Sequence, residues 1–202
     1  KYLLSSDENV AVDMFEALPT PFGASLSRSL LCSDSKACCA GLVRSGVAPD
    51  HPEVKSVEND FRIVADDPRF RFVGNASVGT TIPVDALREQ YAAVVLATGA
   101  QSRRQLAIPG SDLDGVMDAR TFVDWYNGSP GFTSLPGKFE QRLPDVDTAV
   151  IIGNGNVALD CARMLVKQPS DLAQTDIAQH ALDVLGRCDV RHVHVVGRRG
   201  TV

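Results

Sequence analysis

Thr148 to Asp160 (TAVIIGNGNVALD) constrains the fold more than any other stretch of this chain. A run from Ala149 to Ile152, mostly β-branched, breaks at Gly153-Asn154-Gly155. Apolar residues then return at helical spacing through Val157, Ala158, Ala162, Leu165 and Val166. Strand, tight glycine turn and helix, in that order, is the setting in which G-x-G-x-x-G/A reads as a dinucleotide fingerprint. Gly153 can make the turn and Gly155 lets backbone approach a pyrophosphate. Ala158 stands where a small residue lets the helix pack close to the strand. The phosphates would sit at the helix N-terminus, on unpaired N–H groups and the positive end of the dipole. The plain alternative is an ordinary strand, turn and helix with small residues.

The choice of nucleotide is a matter of charge at the end of the next strand. An acid there bonds a ribose 2′-OH, whereas arginine accommodates a 2′-phosphate. Val190 to Gly197 (VRHVHVVG) alternates like a strand and ends on Arg198-Arg199, with no acid. A guanidinium makes bidentate, charge-assisted bonds to phosphate, each worth about 1.5–3 kcal/mol. NADP is therefore favoured over NAD. The interval from the glycine turn exceeds the usual ~20 residues because an extra helix intervenes. Thr175 is placed to cap that helix, which carries Ile177, Ala181, Leu182 and Leu185, and its His180 is expected at the surface. His192 and His194 share one strand face. With no third ligand in view they read as sheet histidines.

The N-terminal half carries a second, weaker pattern. Lys1 to Leu4 reads as the tail of a helix, and Val10 to Glu16 (VAVDMFE) as a strand ending in an acid. By itself Glu16 is a solvated strand-end carboxylate; in a βαβ unit it is the acid that bonds a ribose hydroxyl. Leu18 to Gly23 (LPTPFG) is a turn-rich loop, and Ala24 to Ala40 is Ser- and Cys-rich with little periodicity, a surface insertion. Cys32, Cys38 and Cys39 form no C-x-x-C pair, so no metal ligand is assigned. Asp50-His51 stands between two prolines in a glycine-containing loop, a place where function often sits. Helical spacing runs from Glu53 to Ala65, short strands are expected at Phe70 to Gly74 and Ala76 to Gly79, and a short helix over Val84 to Tyr91. Tyr91 to Ala100 (YAAVVLATGA) is expected to be a buried strand whose Gly99, at the carboxyl end, permits close approach of a ligand. Ile108-Pro-Gly110 looks like a crossover between domains, Ala119 to Tyr126 a helix stopped by Asn127-Gly128, and Ser129 to Val146 a long connector.

Composition narrows the class. A chain of 202 residues can hold two small domains, and its net charge of −5 argues against general nucleic-acid binding. No run reaches the ~18 apolar residues of a membrane span, and five irregularly spaced cysteines point to a reducing compartment. Opening on Lys1 and closing just after a strand, the chain is expected to be a piece cut at both ends, so a targeting segment would not be visible in it.

Six segments together carry a resemblance: VDMFEALPTPFG (12–23), GVAPDHPEVK (46–55), AVVLATGA (93–100), FVDWYNG (122–128), GNGNVALDCARML (153–165) and GRRG (197–200). The chain resembles adrenodoxin reductase, the mitochondrial-type ferredoxin–NADP⁺ reductase, and its bacterial relatives. The resemblance implies an α/β fold of two Rossmann-like, three-layer nucleotide-binding domains. An FAD domain would lie over residues 1–108, with the insertion at 24–40, and an NADP domain over 109–202, both incomplete. Glu16 then matches the acid on the FAD ribose, Leu42 and Val78 match FAD contacts, and Gly99 lies at the same binding edge. Gly153, Asn154, Gly155, Asn156 and Val157 match the NADP pyrophosphate loop, and Arg198 and Arg199 the 2′-phosphate site. His51 matches a histidine near the isoalloxazine that assists proton movement.

The implied function is an FAD-dependent oxidoreductase that passes electrons from NADPH to a 2Fe–2S ferredoxin. The implied location is the matrix side of the mitochondrion, with membrane association at most peripheral. Three departures accompany it. The family's own first strand with its G-x-G-x-x-G is missing, as is everything past Val202. Residues 24–40 interrupt the family's continuous Pro-Phe-Gly-Leu-Val-Arg, which leaves two registers for Gly23 and Gly41. This polypeptide alone is accordingly expected to hold FAD poorly, readable as weak flavin absorbance after purification with excess FAD. Two other readings stand beside the enzyme: an NADP-binding fragment without electron transfer, and the electron-input subunit of a glutamate-synthase-like enzyme.

Overall fold

In a computed structural model of the chain, the described residues are 1–17, 46–99, 106–129, 132–136 and 139–198. Leu42, Arg199 and the insertion at 24–40 lie outside them. Contacts divide the chain into two compact units, Lys1–Val47 with Glu53–Ser102, and Ala48–Pro52 with Arg103–Val202.

The first unit is built on two short parallel strands. Helix α1 (Tyr2–Ser6) leads into β1 (Val12–Phe15); a 3-10 turn (Val54–Val57) and helix α2 (Glu58–Ala65) lead into β2 (Phe70–Val73), and helix α3 (Val84–Gln90) follows. β1 pairs with β2 from Val12↔Phe70 to Phe15↔Val73. Register is fixed by charge as well as by side-chain alternation. Asp13 lies opposite Arg71 and accepts both from its guanidinium and from the Tyr91 hydroxyl. Arg69, just before β2, donates to the carbonyls of Leu4 (2.8 Å) and Asp7 (3.0 Å), closing the C-terminal end of α1 where carbonyls lack helical partners.

Two expected strands are absent. Ala76 to Gly79 is a turn closed by Thr81 N–H on Ser77 O (2.7 Å), with one isolated bridge, Val78↔Ile82. Residues 91–99 are irregular, with Val95 77% and Leu96 68% exposed. An apolar run becomes a strand only when a neighbour completes its ladder, and no described strand pairs with this one.

The second unit packs helices on one face of a second parallel pair. Helix α4 (Ala119–Tyr126) is followed by α5 (Phe139–Arg142), a 3-10 turn (Leu143–Asp145) and β3 (Thr148–Ile152). Helices α6 (Asn156–Val166), α7 (Pro169–Leu172) and α8 (Gln179–Leu185) then lead to β4 (His192–Val196). The expected connector thus contains two short helical pieces. β3 and β4 pair from Thr148↔His192 to Ile152↔Val196. Alternation sends Ala149, Ile151 and Val193 toward the helices, where they pack on the core. On the other face Val150 is 62% and Ile152 56% exposed.

The core centres on Trp125, Tyr126, Met164 and Leu172, all fully buried. α6 contributes Ala158, Cys161 and Met164 at helical spacing. It ends at Lys167-Gln168, whose extended backbone suits the residue before Pro169, and the proline opens α7. Phe122 stacks on Trp125 at 5.5 Å and meets Tyr126 edge-on at 5.4 Å. His180 is half-buried rather than a surface residue: its Nε2 lies 3.0 Å from Trp125 O, and its ring meets the Trp125 ring. Thr175 does not cap α8. Its hydroxyl closes the turn after α7 on Leu172 O at 2.7 Å, and Ala178 precedes the helix.

α4 is started by Asp118, whose carboxylate accepts from Thr121 N–H (2.9 Å) and the Thr121 hydroxyl (2.8 Å). Asp118→Ala is expected to remove about 1–2 kcal/mol of stability, measured as a lower urea midpoint at unchanged slope.

Candidate functional site

The glycine turn at the end of β3 is an exposed loop leading into an uncapped helix. Gly153 adopts φ +130, which side-chain-bearing residues rarely tolerate, and its N–H donates to Val196 O at 2.8 Å. The parallel ladder thus continues one bond into the loop. Gly155 precedes α6 in extended conformation and no side chain caps the helix. Ala158 and Leu159 N–H already donate to Gly155 O, at 3.0 and 3.2 Å. Asn154, Gly155, Asn156 and Val157 are exposed, and a Cβ built at Gly153 or Gly155 meets nothing within 4 Å. The first turn of an eleven-residue helix therefore faces open space, with its dipole end uncovered.

Beside this turn stands the end of β4. Because Ile152 pairs with Val196, the residues after both strands emerge on the same carboxyl edge of the sheet. Gly197 is packed against the loop: a Cβ there would lie 2.9 Å from Cγ and Nδ2 of Asn154. Arg198 follows, exposed. The structure thus brings Gly153 to Val157 and Arg198 to one edge.

In the first unit, Glu16 and Val78 share the carboxyl edge of the β1–β2 pair. Glu16 N–H donates to Val73 O at 3.0 Å, and Glu16 O accepts from Ala76 N–H at 2.9 Å. Val78 lies two residues on, half-buried. Gly99 ends the irregular segment at φ +68 with open space where a Cβ would be. His51 belongs instead to the second unit, in a turn where its N–H donates to Ala48 O at 3.1 Å.

An ion cluster stands beside His51. Asp50 accepts from Arg163 Nε (2.9 Å) and Nη2 (3.0 Å) and from Lys167 Nζ (3.2 Å), while Arg163 Nη2 also bonds Asp160 (2.8 Å). Asp160 and Arg163 recur at i and i+3 on α6, and Lys167 follows just past its end at i+7, a legible stripe. Their partner Asp50 is 113 residues from Arg163 and carries no local signal. Two buried polar atoms nearby, Trp125 Nε1 and the Tyr126 hydroxyl, have no partner among the described residues. Burial pushes the Tyr126 phenol far up and the Cys161 thiol to about 12, so both stay neutral. Among the described residues no group of three His, Cys, Asp or Glu could hold a metal.

The hydrogen bonds from Arg163, ahead of burial, hold the Asp50 carboxyl at about 2, below its ordinary 3.8. The unfolded chain therefore takes up this proton first. The pair's contribution is complete above about pH 4 and is lost as pH falls toward 2. We expect about 2 kcal/mol of acid-dependent stability from this carboxyl, and its absence in Asp50→Asn, measured by urea unfolding from pH 6 to 2.5.

The chain is 50% identical over 199 residues to the NADPH-ferredoxin reductase FprA of Mycobacterium leprae, covering 97% of this chain and 38% of that protein. It is 48% identical over 191 residues to the mitochondrial NADPH:adrenodoxin oxidoreductase of Homo sapiens, covering 94% and 34%. The solved structure of Mycobacterium tuberculosis FprA in complex with NADPH superposes with a TM-score of 0.80 at 46% identity, over 98% of this chain and 40% of that one. The chain thus spans well under half the length of these relatives. The pyridine nucleotide-disulphide oxidoreductase family matches residues 9–201. With nearly every residue inside that match, and an α/β fold whose glycine turn opens on the sheet's carboxyl edge, the chain belongs to the pyridine nucleotide-disulphide oxidoreductase family.

Proposed function

We propose that this chain is part of an FAD-dependent oxidoreductase that takes electrons from NADPH and passes them to a 2Fe–2S ferredoxin. The observation that carries the reading is the uncapped first turn of α6, open to solvent and side by side with the end of β4 where Arg198 stands. Backbone N–H groups of Gly155 to Val157 would hold a pyrophosphate, with Gly153 and Asn154 shaping the turn. Arg198 would take the 2′-phosphate, and Arg199 is assigned the same role by its place in the sequence. The residues present fit NADP.

For FAD, the described residues offer the ribose edge through Glu16, a contact at Val78 and an open approach at Gly99; Leu42 is assigned to the flavin on sequence alone. Residues 1–108 are read as the flavin domain and residues 109–202 as the NADP domain, both of Rossmann type and each a part of its domain. When bound, NADPH supplies a hydride and the flavin divides the electron pair for a one-electron partner. The protein's share is to hold each nucleotide and to supply a protonatable ring, His51. The names of the relatives support ferredoxin as partner and, for the eukaryotic ones, the mitochondrion; the matrix side is our extension to this chain. No described helix is long and apolar enough to cross a membrane; a peripheral membrane association is part of the proposal.

NADPH-dependent cytochrome c reduction that requires added 2Fe–2S ferredoxin is the expected activity of the flavin-loaded protein. Tight NADP⁺ binding with no such reduction would leave only a nucleotide-binding module. Arg198→Ala is expected to lower the preference for NADPH over NADH by about 10- to 100-fold, one charge-assisted contact. An unchanged preference in the Arg198→Ala/Arg199→Ala double variant would defeat the assignment.

A further inference from the structure

Residues 48–52 group with residues 103–202 in the second unit. Ala48 is fully buried in the second unit's core, and Pro49 is among its largest fully buried side chains. Asp50 follows with 4% of its side chain exposed, gripped by both Nε and Nη2 of Arg163 and by Lys167. A two-point guanidinium grip fixes the plane and direction of a carboxylate as well as its place. Asp160 holds the same guanidinium from the other side at 2.8 Å. His51 then turns back with its N–H on Ala48 O, and its Nε2 stands 4.0 Å from Asp50 Oδ1, the oxygen that accepts from Arg163 Nη2. The ring therefore leaves the backbone from a segment pinned at each of the three preceding residues.

We propose that Asp50 and Arg163 are positioning residues whose ion pair latches the histidine loop onto α6 and so sets where the His51 ring stands. This rests on the reading of His51 as a site residue. Arg163 lies seven residues past Asn156, about 10 Å along the helix from its first turn, so it acts through Asp50 and not at the phosphates. The pair's stabilising effect is one part of its role. Its particular contribution is direction. One rigid helix thereby carries the nucleotide turn at one end and, two turns on, the anchor of the protonatable ring.

The test uses the flavin-loaded full enzyme of which this chain is read as a part, with Arg163→Ala, and Arg163→Lys as the milder variant should the first fold poorly. Hydrogen exchange followed by mass spectrometry reads the latch directly. The amides of Ala48, Asp50 and His51 are expected to exchange at least tenfold faster in Arg163→Ala, with β3 and β4 unchanged, and Arg163→Lys should lie between. The turnover number with NADPH should fall about 10- to 100-fold, toward that of His51→Gln, while the KM for NADPH stays within twofold. Unchanged exchange in 48–52 would overturn the latch. A loosened loop with wild-type turnover would overturn the positioning role. If His51→Gln itself turns over normally, the site reading of His51 fails together with that role, whatever the exchange data show.

Discussion

Everything functional in the second unit depends on β3 lying parallel to β4 in one register. Thr148 and His192 are 44 residues apart, yet their pairing sets the whole edge. It places the bond from Gly153 N–H to Val196 O one step beyond the last strand pair, which aims the glycine turn. It also brings Gly197 under Asn154, where only a residue without a side chain leaves that amide undisturbed. A slip of one residue would reverse the faces of β4, lift Val193 from the core and carry Arg198 away from the turn. The helices between the strands exist in this arrangement to span that distance and to bury one face of the pair.

The helical layer has its own logic. Trp125 and Tyr126 give it mass, and α6 meets them through Cys161 and Met164. Their polar atoms are left without partners among the described residues, a cost that the large apolar area of both rings offsets. On its other side α6 turns cations outward, and Asp50 comes to them. Burial of Ala48 and Pro49 brings that carboxylate within reach, and the charges then fix its orientation. Packing and electrostatics act here in sequence, the first non-directional and the second directional.

Legibility in the sequence differs between the two units for a physical reason. In the second, the β-branched run, the glycines and the apolar spacing of α6 are local signals, and the strand, turn and helix stand where they were expected. In the first, Tyr91 to Gly99 has the composition of a buried strand and is instead irregular and exposed. A ladder needs a partner, and composition cannot supply one. His180 and Thr175 show the same limit on a smaller scale. Each has a side chain whose partner, Trp125 O or Leu172 O, is chosen by how the turn after α7 folds back.

The residues alone determined the class of the fold, the turn that can face a pyrophosphate and the sign of the charge at the next strand's end. These follow from backbone sterics, hydrogen-bond periodicity and electrostatic complementarity, all readable within a few residues. Tertiary structure alone decided that His51 stands with residues 103–202, that Asp50 meets Arg163 across 113 positions, and that one face of β3 and β4 packs while the other lies open. Such contacts are made by chain closure over long separations, and no spacing rule along the sequence encodes which distant charge or apolar face will be met.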